Sequence, residues 1–202
     1  MKVGLFSGSF NPVHVGHLVV ANYMLEFTSL DEVWFVVTPH NPIKRQEELL
    51  DDQLRLEMVS LALKDYEGLH ASDIEFRLPR PSYTVETLAA LDKEHPGKEF
   101  YLIIGGDNWV IFDRWYEHER ILQQYKVLIY PRKGEAVNIP PKYQESVQVV
   151  NAPLVEISST FIRESLKRGK NVRAFLPPAV YEFILERGLY CSSPLRTASH
   201  RG

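Results

Sequence analysis

Residues 2–17 read KVGLFSGSFNPVHVGH. The apolar run at residues 3–6 leads into a turn of serine, glycine, asparagine and proline, and a helical pattern begins at Gly16. A short apolar strand, a turn containing glycine and then a helix are typical of the repeating unit of α/β proteins. This stretch therefore predicts a first strand whose carboxyl end carries the polar turn.

The same alternation continues along the chain. Further apolar runs predict strands at residues 33–38, around 69–76, 100–104, 126–130 and 147–157. Helical patterns occupy residues 16–27, 52–64, 82–94, 117–124, 159–167 and 178–186. Strands this continuously apolar are typical of sheets covered on both faces. We predict an α/β fold over residues 1–190: a single-domain, Rossmann-like, doubly wound parallel sheet with helices on both faces. Residues 191–202 are polar without periodicity, and we expect a mobile tail there.

Composition excludes several function classes. The chain has 202 residues, a net charge of -3 and no basic block, which argues against a nucleic-acid partner. Its single cysteine, Cys191, excludes a disulfide framework and a cysteine-rich zinc site. No run approaches the roughly 20 apolar residues of a membrane span, and the apolar start is too short for a signal peptide. We therefore expect a soluble, cytoplasmic protein with no membrane partner.

Chemically unusual segments follow five of the predicted strands. They lie at residues 7–17, 39–45, 105–109, 132–133 and 158–163. In an open parallel sheet the carboxyl ends of the strands meet at one edge, and ligands bind there, near the point where the strand order reverses. The sequence therefore predicts one crevice lined by all five segments.

The first segment has the features of a phosphate site. We expect Gly8 to allow a tight turn and a close approach of backbone to ligand. His14 and His17 are three residues apart, so on a helical first turn both rings face one spot and could donate to phosphate oxygens. Metal ligation and a purely structural role for the two histidines remain open, although no acidic residue or cysteine nearby completes a metal set.

The last segment has a separate signature. Ser158, Ser159 and Thr160 place three hydroxyls at a helix start, where capping alone could account for them. Arg163 follows within about one turn, where the helix dipole disfavours a cation. An anion bound at this helix end would resolve that conflict.

Four other places in the sequence, each one residue or a short segment, have a functional and an ordinary interpretation. Lys44 could contact a phosphate or be a solvated loop lysine, and Asp107 could accept from ribose hydroxyls or cap a helix. Trp115 and the adjacent Tyr116 could stack on a planar ring or lie at the edge of the core. The helix start at residues 81–84 could present backbone N–H groups to a carboxylate, or simply be a helix start.

Two of these segments together resemble a known superfamily. Residues 8–17 are similar to the phosphate-binding motif of nucleotidyltransferases with the T/HxGH signature, and residues 157–163 (ISSTFIR) to their second motif, ISSTxIR. Within that superfamily the chain resembles the bacterial nicotinate-mononucleotide adenylyltransferases over nearly its whole length. Residues 81–84 (PSYT), 104–107 (IGGD) and 115–116 (WY) stand in that family's order and spacing.

The resemblance implies roles for individual residues. Those implied for ATP are Gly8, Ser9, Phe10, His14, His17, Gly106, Asp107, Ser158, Ser159, Thr160 and Arg163. Those implied for nicotinate mononucleotide are Asn11, Lys44, Tyr83, Thr84, Trp115, Tyr116 and Arg132. The catalytic set is His14, His17, Lys44 and Arg163. The nicotinate carboxylate would meet the backbone N–H groups of Thr84 and Tyr116, and the pyridine ring would stack on Trp115.

The implied reaction is transfer of AMP from ATP to nicotinate mononucleotide, giving nicotinate adenine dinucleotide and pyrophosphate for NAD synthesis. The acceptor is already an anion, so catalysis rests on positioning and charge stabilisation. Mg²⁺ would be carried on ATP, and no protein-bound metal is expected. Three alternatives stay open: a phosphopantetheine adenylyltransferase, a cytidylyltransferase, and a nucleotide-binding sensor without catalysis. The loop at residues 38–45 departs from the family because it lacks the paired prolines that many relatives carry.

Overall fold

The computed structural model describes residues 1–39, 49–132, 134 and 137–191. Its strands are β1 (Lys2–Gly8), β2 (Glu32–Val37), β3 (Leu69–Ser72), β4 (Glu99–Gly105), β5 (Lys126–Tyr130) and β6 (Val147–Val149). Its α-helices are α1 (Val15–Phe27), α2 (Asp52–Leu63), α3 (Thr84–Glu94), α4 (Gly106–Val110), α5 (His118–Gln124), α6 (Ser159–Lys167) and α7 (Pro178–Glu186).

All six strands are parallel and lie in the order β3-β2-β1-β4-β5-β6. The central strand β1 pairs with β2 on one side and β4 on the other, so the strand order reverses between β1 and β4. This is the doubly wound order in which ligands bind beyond the carboxyl ends of the strands. The predicted fold class is confirmed.

Two apolar layers cover the sheet, one on each face. Alternate residues of β1 point to opposite faces, so Leu5 packs in one layer and Phe6 in the other. The layer around Phe6 also contains Met24 of α1, whereas the layer around Leu5 contains Leu88 of α3. Burial on both faces explains why the strands read as continuous apolar runs.

The structure corrects the predicted sixth strand. The apolar run at 147–157 forms a strand only over Val147–Val149. The partner strand β5 ends at Tyr130, and Pro131 follows with no N–H to extend the parallel ladder. The rest of the run leaves the sheet, and Ile157 lines a cavity instead. The strand predicted around residues 69–76 is also shorter than expected. It ends at Ser72, and a short 3₁₀ helix, Ile74–Arg77, follows it.

Candidate functional site

Two adjoining cavities open at the carboxyl edge of the sheet. The first, of about 490 Å³, is lined among others by His14, Asp107 and Ser158. The second, of about 630 Å³, is lined among others by Thr84 and Trp115. Their shared lining residues, which define the junction between the cavities, are Phe6, His17, Tyr130 and Arg132. Each volume lies in the range of small-molecule sites.

Most of the predicted site residues in the described segments meet here. Those lining at least one of the two cavities are Gly8, Ser9, Phe10, His14, His17, Thr84, Asp107, Trp115, Arg132, Ser158 and Ser159. Predicted residues outside these two linings are Asn11, Tyr83, Gly106, Tyr116, Thr160 and Arg163. Lys44 lies outside the described residues, as does the tail from residue 192 onward.

The turn after β1 is built differently from the sequence expectation. The left-handed residue is Phe10, with φ of 44°, whereas Gly8 has no such conformation. Gly8 is needed for space, since a Cβ there would stand 3.1 Å from the tip of the Phe10 ring. The ring is almost fully buried and packs against Phe35. Apolar packing of Phe10 therefore holds this loop in its tight turn.

His14 and His17 form a compact pair at the start of α1. Their rings stack with centroids 3.7 Å apart. The His14 backbone N–H donates to Nδ1 of His17 over 3.1 Å, so a neutral His17 ring carries its proton on Nε2. Gly16 between them lacks a side chain for a steric reason, because a Cβ would stand 3.0 Å from Nδ1 of His14.

Both imidazoles are uncharged near neutral pH. Burial, and after it the positive charge of Arg132, lowers the pKa of His14 from 6.5 to about 4. Burial, then His14 and Arg132, places the pKa of His17 well below its ordinary value. Each ring is thus a neutral N–H donor, and the nearby positive charge belongs to Arg132.

Three buried polar atoms along the cavity walls have no hydrogen-bond partner among the described residues. They are Oγ of Ser7, Nδ1 of His14 and Nε of Arg132. Buried polar atoms in folded proteins are nearly always paired, so a cluster of exceptions indicates a place where a ligand or water completes the bonding. Asp107 contacts Arg132 only as an ion pair, with 3.7 Å between Oδ1 of Asp107 and Nε of Arg132.

The second motif holds the first loop in place. Ser158 caps α6 by accepting from the Phe161 N–H over 3.1 Å. Ser159 Oγ donates to the Pro12 carbonyl over 2.8 Å, and Arg163 donates to the Asn11 carbonyl over 2.9 Å. The capping interpretation therefore holds for Ser158, and Arg163 has a backbone partner that explains a cation about one turn after the helix start. Direct contact of these residues with phosphates stays a prediction.

Two aromatic rings join the start of α3 to the segment after α4. Tyr83 and Tyr116 have centroids 4.5 Å apart, and both are about half exposed. Thr84 is the first residue of α3. Trp115, which precedes Tyr116 in the chain, packs against buried Phe112, with ring centroids 5.1 Å apart. Thr84 and Trp115 thus line the second cavity, and Tyr116 lies next to them, outside the lining, through its ring contact with Tyr83.

Comparison with known proteins agrees with this geometry. Residues 5–165 match the cytidylyltransferase-like family. A Bacteroides fragilis protein named "Probable nicotinate-nucleotide adenylyltransferase" is 56% identical over 189 residues, 92% of either chain. A Bacteroides thetaiotaomicron protein of the same name is 55% identical over 186 residues, again 92% of either chain. This chain belongs to the nicotinate-nucleotide adenylyltransferase family. The resemblance predicted from the two motifs is therefore confirmed.

A solved structure supports the fold independently. The nicotinic acid mononucleotide adenylyltransferase of Plasmodium falciparum, complexed with NaAD, superimposes with a TM-score of 0.77 at 18% identity, over 94% of this chain and 97% of that one. At this identity the likeness concerns the fold alone. In the described part of the chain, no helix is both long and apolar enough to cross a membrane.

Sequence reasoning missed Arg55, which organises the site from behind. Its fully buried guanidinium donates to the carbonyls of Ser9 (2.6 Å), Thr38 (2.8 Å) and Leu50 (3.0 Å). It therefore ties the ends of β1 and β2 to the start of α2. Arg55 is in register with the buried face of α2, and a charge on that face was the available signal.

The Asn11 side chain also connects distant segments of the fold. Its side-chain oxygen accepts from the Tyr190 hydroxyl over 2.6 Å and from the Leu50 N–H over 3.4 Å. The side chain is almost fully buried. Its predicted contact with the mononucleotide stays a prediction, and so does that of Gly106 with ATP.

Asp107 is the second residue of α4, which begins after Gly105, so Asp107 is not the cap of that helix.

Proposed function

We propose that this crevice transfers the adenylyl group of ATP to nicotinate mononucleotide, giving nicotinate adenine dinucleotide and pyrophosphate. The observation that carries the proposal is the junction of the two cavities, where His17 and Arg132 line both spaces. A group-transfer enzyme needs its two substrates to meet at one point, and here a neutral donor and a cation stand at that point.

The chemistry of the walls supports one substrate in each cavity. We place the ATP nucleoside in the first cavity, where Asp107 can accept from ribose hydroxyls. We place the mononucleotide in the second cavity, where Trp115 offers an aromatic face and Thr84 opens a helix. N–H groups of a helix's first turn lack acceptors within the helix and favour anions, which suits a pyridine carboxylate. The relatives named above support this acceptor.

The proposed reaction is a single displacement at the α-phosphorus of ATP. An oxygen of the mononucleotide phosphate forms the new bond to that phosphorus, and the bond to the bridging oxygen of the β-phosphate breaks. The electron pair leaves on pyrophosphate. The attacking oxygen is already ionised, so no general base is required, and the low pKa values of His14 and His17 agree with donors rather than proton carriers.

Charge stabilisation is then the main task of the side chains. Nε2–H of His17 would donate to phosphate oxygens as charge builds up, with Arg132 beside it. Removing one such preorganised donor typically costs about 10²–10³ in rate. Arg163 and the α6 hydroxyls would act nearby, where they also hold the loop that carries the histidines. Lys44 is proposed as a further phosphate contact from the family resemblance.

Mg²⁺ is proposed to enter as part of the Mg·ATP substrate. Among the residues that the structure describes, no three His, Cys, Asp or Glu side chains cluster as a protein metal site would require. Mg²⁺ in such enzymes is held largely by substrate phosphates and water, and it neutralises their charge. Asp107 and Glu156 line the first cavity and are the carboxylates available there to water bound on the ion.

The test is pyrophosphate release from Mg·ATP with nicotinate mononucleotide or nicotinamide mononucleotide as the acceptor. We expect rapid release with the nicotinate form, slow release with the amide and none with CTP replacing ATP. His17→Ala is the matched control, because it should abolish most of the signal without removing either cavity. No release with either pyridine acceptor, but release with phosphopantetheine, would refute the assigned acceptor.

A further inference from the structure

Glu75 is a buried carboxyl group to which the proposed reaction gives no task. It lies in the 3₁₀ helix after β3, is 5% exposed and belongs to the wall of the second cavity. Burial raises its pKa, while hydrogen bonds from Thr87 and Ser82 act in the opposite direction. A carboxyl group is costly to bury, so its retention here calls for a specific role.

Both carboxyl oxygens of Glu75 are directed at the start of α3. Oε2 accepts from the Ser82 hydroxyl and Oε1 from the Thr87 hydroxyl, each over 3.0 Å. Ser82 stands two residues before Thr84, the first residue of the helix, and Thr87 stands three residues after it. Glu75 therefore binds this helix start through one residue before it and one residue inside it.

The same hydroxyl of Thr87 also contacts the peptide group between Tyr83 and Thr84. The Thr87 hydroxyl lies 3.3 Å from the Tyr83 carbonyl oxygen, which accepts from the backbone N–H groups of Glu86 over 2.9 Å and Thr87 over 3.0 Å. That carbonyl and the N–H of Thr84 belong to the same planar peptide unit, so the orientation of one determines the orientation of the other. The single proton of the Thr87 hydroxyl is therefore shared between Glu75 and the Tyr83 carbonyl, and it links the carboxyl group to the peptide between Tyr83 and Thr84.

We propose that Glu75 and Thr87 are positioning residues that make this site select a carboxylate over an amide on the pyridine ring. They would do so by reinforcing the backbone hydrogen bonds of α3 that hold the peptide of the Thr84 N–H in one direction. This inference rests on the proposed function, in which that N–H meets the nicotinate carboxylate. With the Tyr116 N–H proposed at the other oxygen, a donor held rigidly at Thr84 completes the pairing of a carboxylate. An amide must instead turn its NH₂ towards one of the two donors, and that pair is then unmade or opposed. A donor free to turn away discriminates less.

The experiment compares kcat/KM for nicotinate and nicotinamide mononucleotides in matched variants. Thr87→Val keeps the shape and removes the hydroxyl, whereas Thr87→Ser keeps the hydroxyl. We expect Thr87→Val to lower the preference for nicotinate about five- to tenfold, which is the scale of one net hydrogen bond. The change should appear in the KM for nicotinate mononucleotide, with kcat and the KM for ATP nearly unchanged. Thr87→Ser should retain the wild-type preference.

Glu75→Gln and Glu75→Leu form a second pair. Glutamine can still pair with both hydroxyls and should keep most of the preference, whereas leucine should lose it. Thermal unfolding of each variant identifies any that fail to fold, and the threonine pair then decides the question alone. An unchanged preference in Thr87→Val, or an equal loss with both acceptors, would overturn the inference. Failure of the wild-type enzyme to use either acceptor would instead refute the proposed function.

Discussion

Acid should destabilise this fold through His14. The side chain is 5% exposed, and burial with Arg132 nearby lowers its pKa from 6.5 to about 4. The unfolded chain therefore takes up a proton on this ring at a pH where the folded chain does not. Stability contributed by the neutral buried ring is complete above pH 6.5 and is lost as the pH falls towards about 4.

The expected loss follows from the width of that window. Each pH unit between the two pKa values lowers the free energy of unfolding by about 1.4 kcal/mol. Lowering the pH to about 5 should therefore lower it by about 2 kcal/mol through His14 alone. His17 has a pKa shifted in the same direction and adds to the loss. The pH dependence of the wild-type protein therefore reports both rings together with every other titrating group.

The assay is urea denaturation at about pH 7 and about pH 5 for the wild type and for His14→Asn. Asparagine cannot be protonated, so the stability difference between the two pH values should be smaller in the variant by about 2 kcal/mol. Comparing the two differences cancels the groups that both proteins share, apart from the part of the His17 pKa shift that His14 causes. An equal pH dependence in the two proteins would refute the assignment of His14 as a buried, neutral ring.

Three further predictions concern single side chains. His17→Ala should lower kcat by about 10² or more while the melting temperature changes little, because it removes a charge-stabilising donor; wild-type turnover would contradict its role. Trp115→Ala should mainly raise the KM for nicotinate mononucleotide in steady-state kinetics, as loss of uniform binding does, and an unchanged KM would argue against stacking. Arg55→Met should lower the free energy of unfolding by about 3 kcal/mol in urea denaturation, because three carbonyls lose their donor at about 1 kcal/mol each. Asp52, which also pairs with Arg55, keeps Arg80 as a second partner at 3.0 Å. A loss below about 1 kcal/mol would show that other donors replace it.

Much of the site was predictable because its chemistry is local in sequence. The spacing of His14 and His17 places both on one helical turn, and the structure stacks their rings at that turn. The proline and glycine signals around α7 predicted its bounds, residues 178–186, without error. In both cases the interactions that decide the structure join residues a few positions apart.

Other features were not predictable because the deciding partner is distant in sequence. The position of Arg55 on the buried face of α2 is visible in the sequence, but its partner is not: the fold buries Arg55 against Ser9, 46 positions away, and Glu75 against Thr87, 12 positions away. The strand predicted over residues 147–157 is short because its partner strand is followed by Pro131, which cannot donate.

The alternation of apolar runs and helical patterns by itself determined a parallel α/β sheet, and the two motifs by themselves determined the enzyme family. Both depend on short-range periodicity and on residue identity, which the chain carries before it folds. Only the tertiary structure decided that His14 and His17 are uncharged, that Phe10 rather than Gly8 makes the left-handed turn, and that Arg163 holds the Asn11 carbonyl. Desolvation, packing and long-range hydrogen bonds exist only once distant segments have met, and each of these three features depends on one of them.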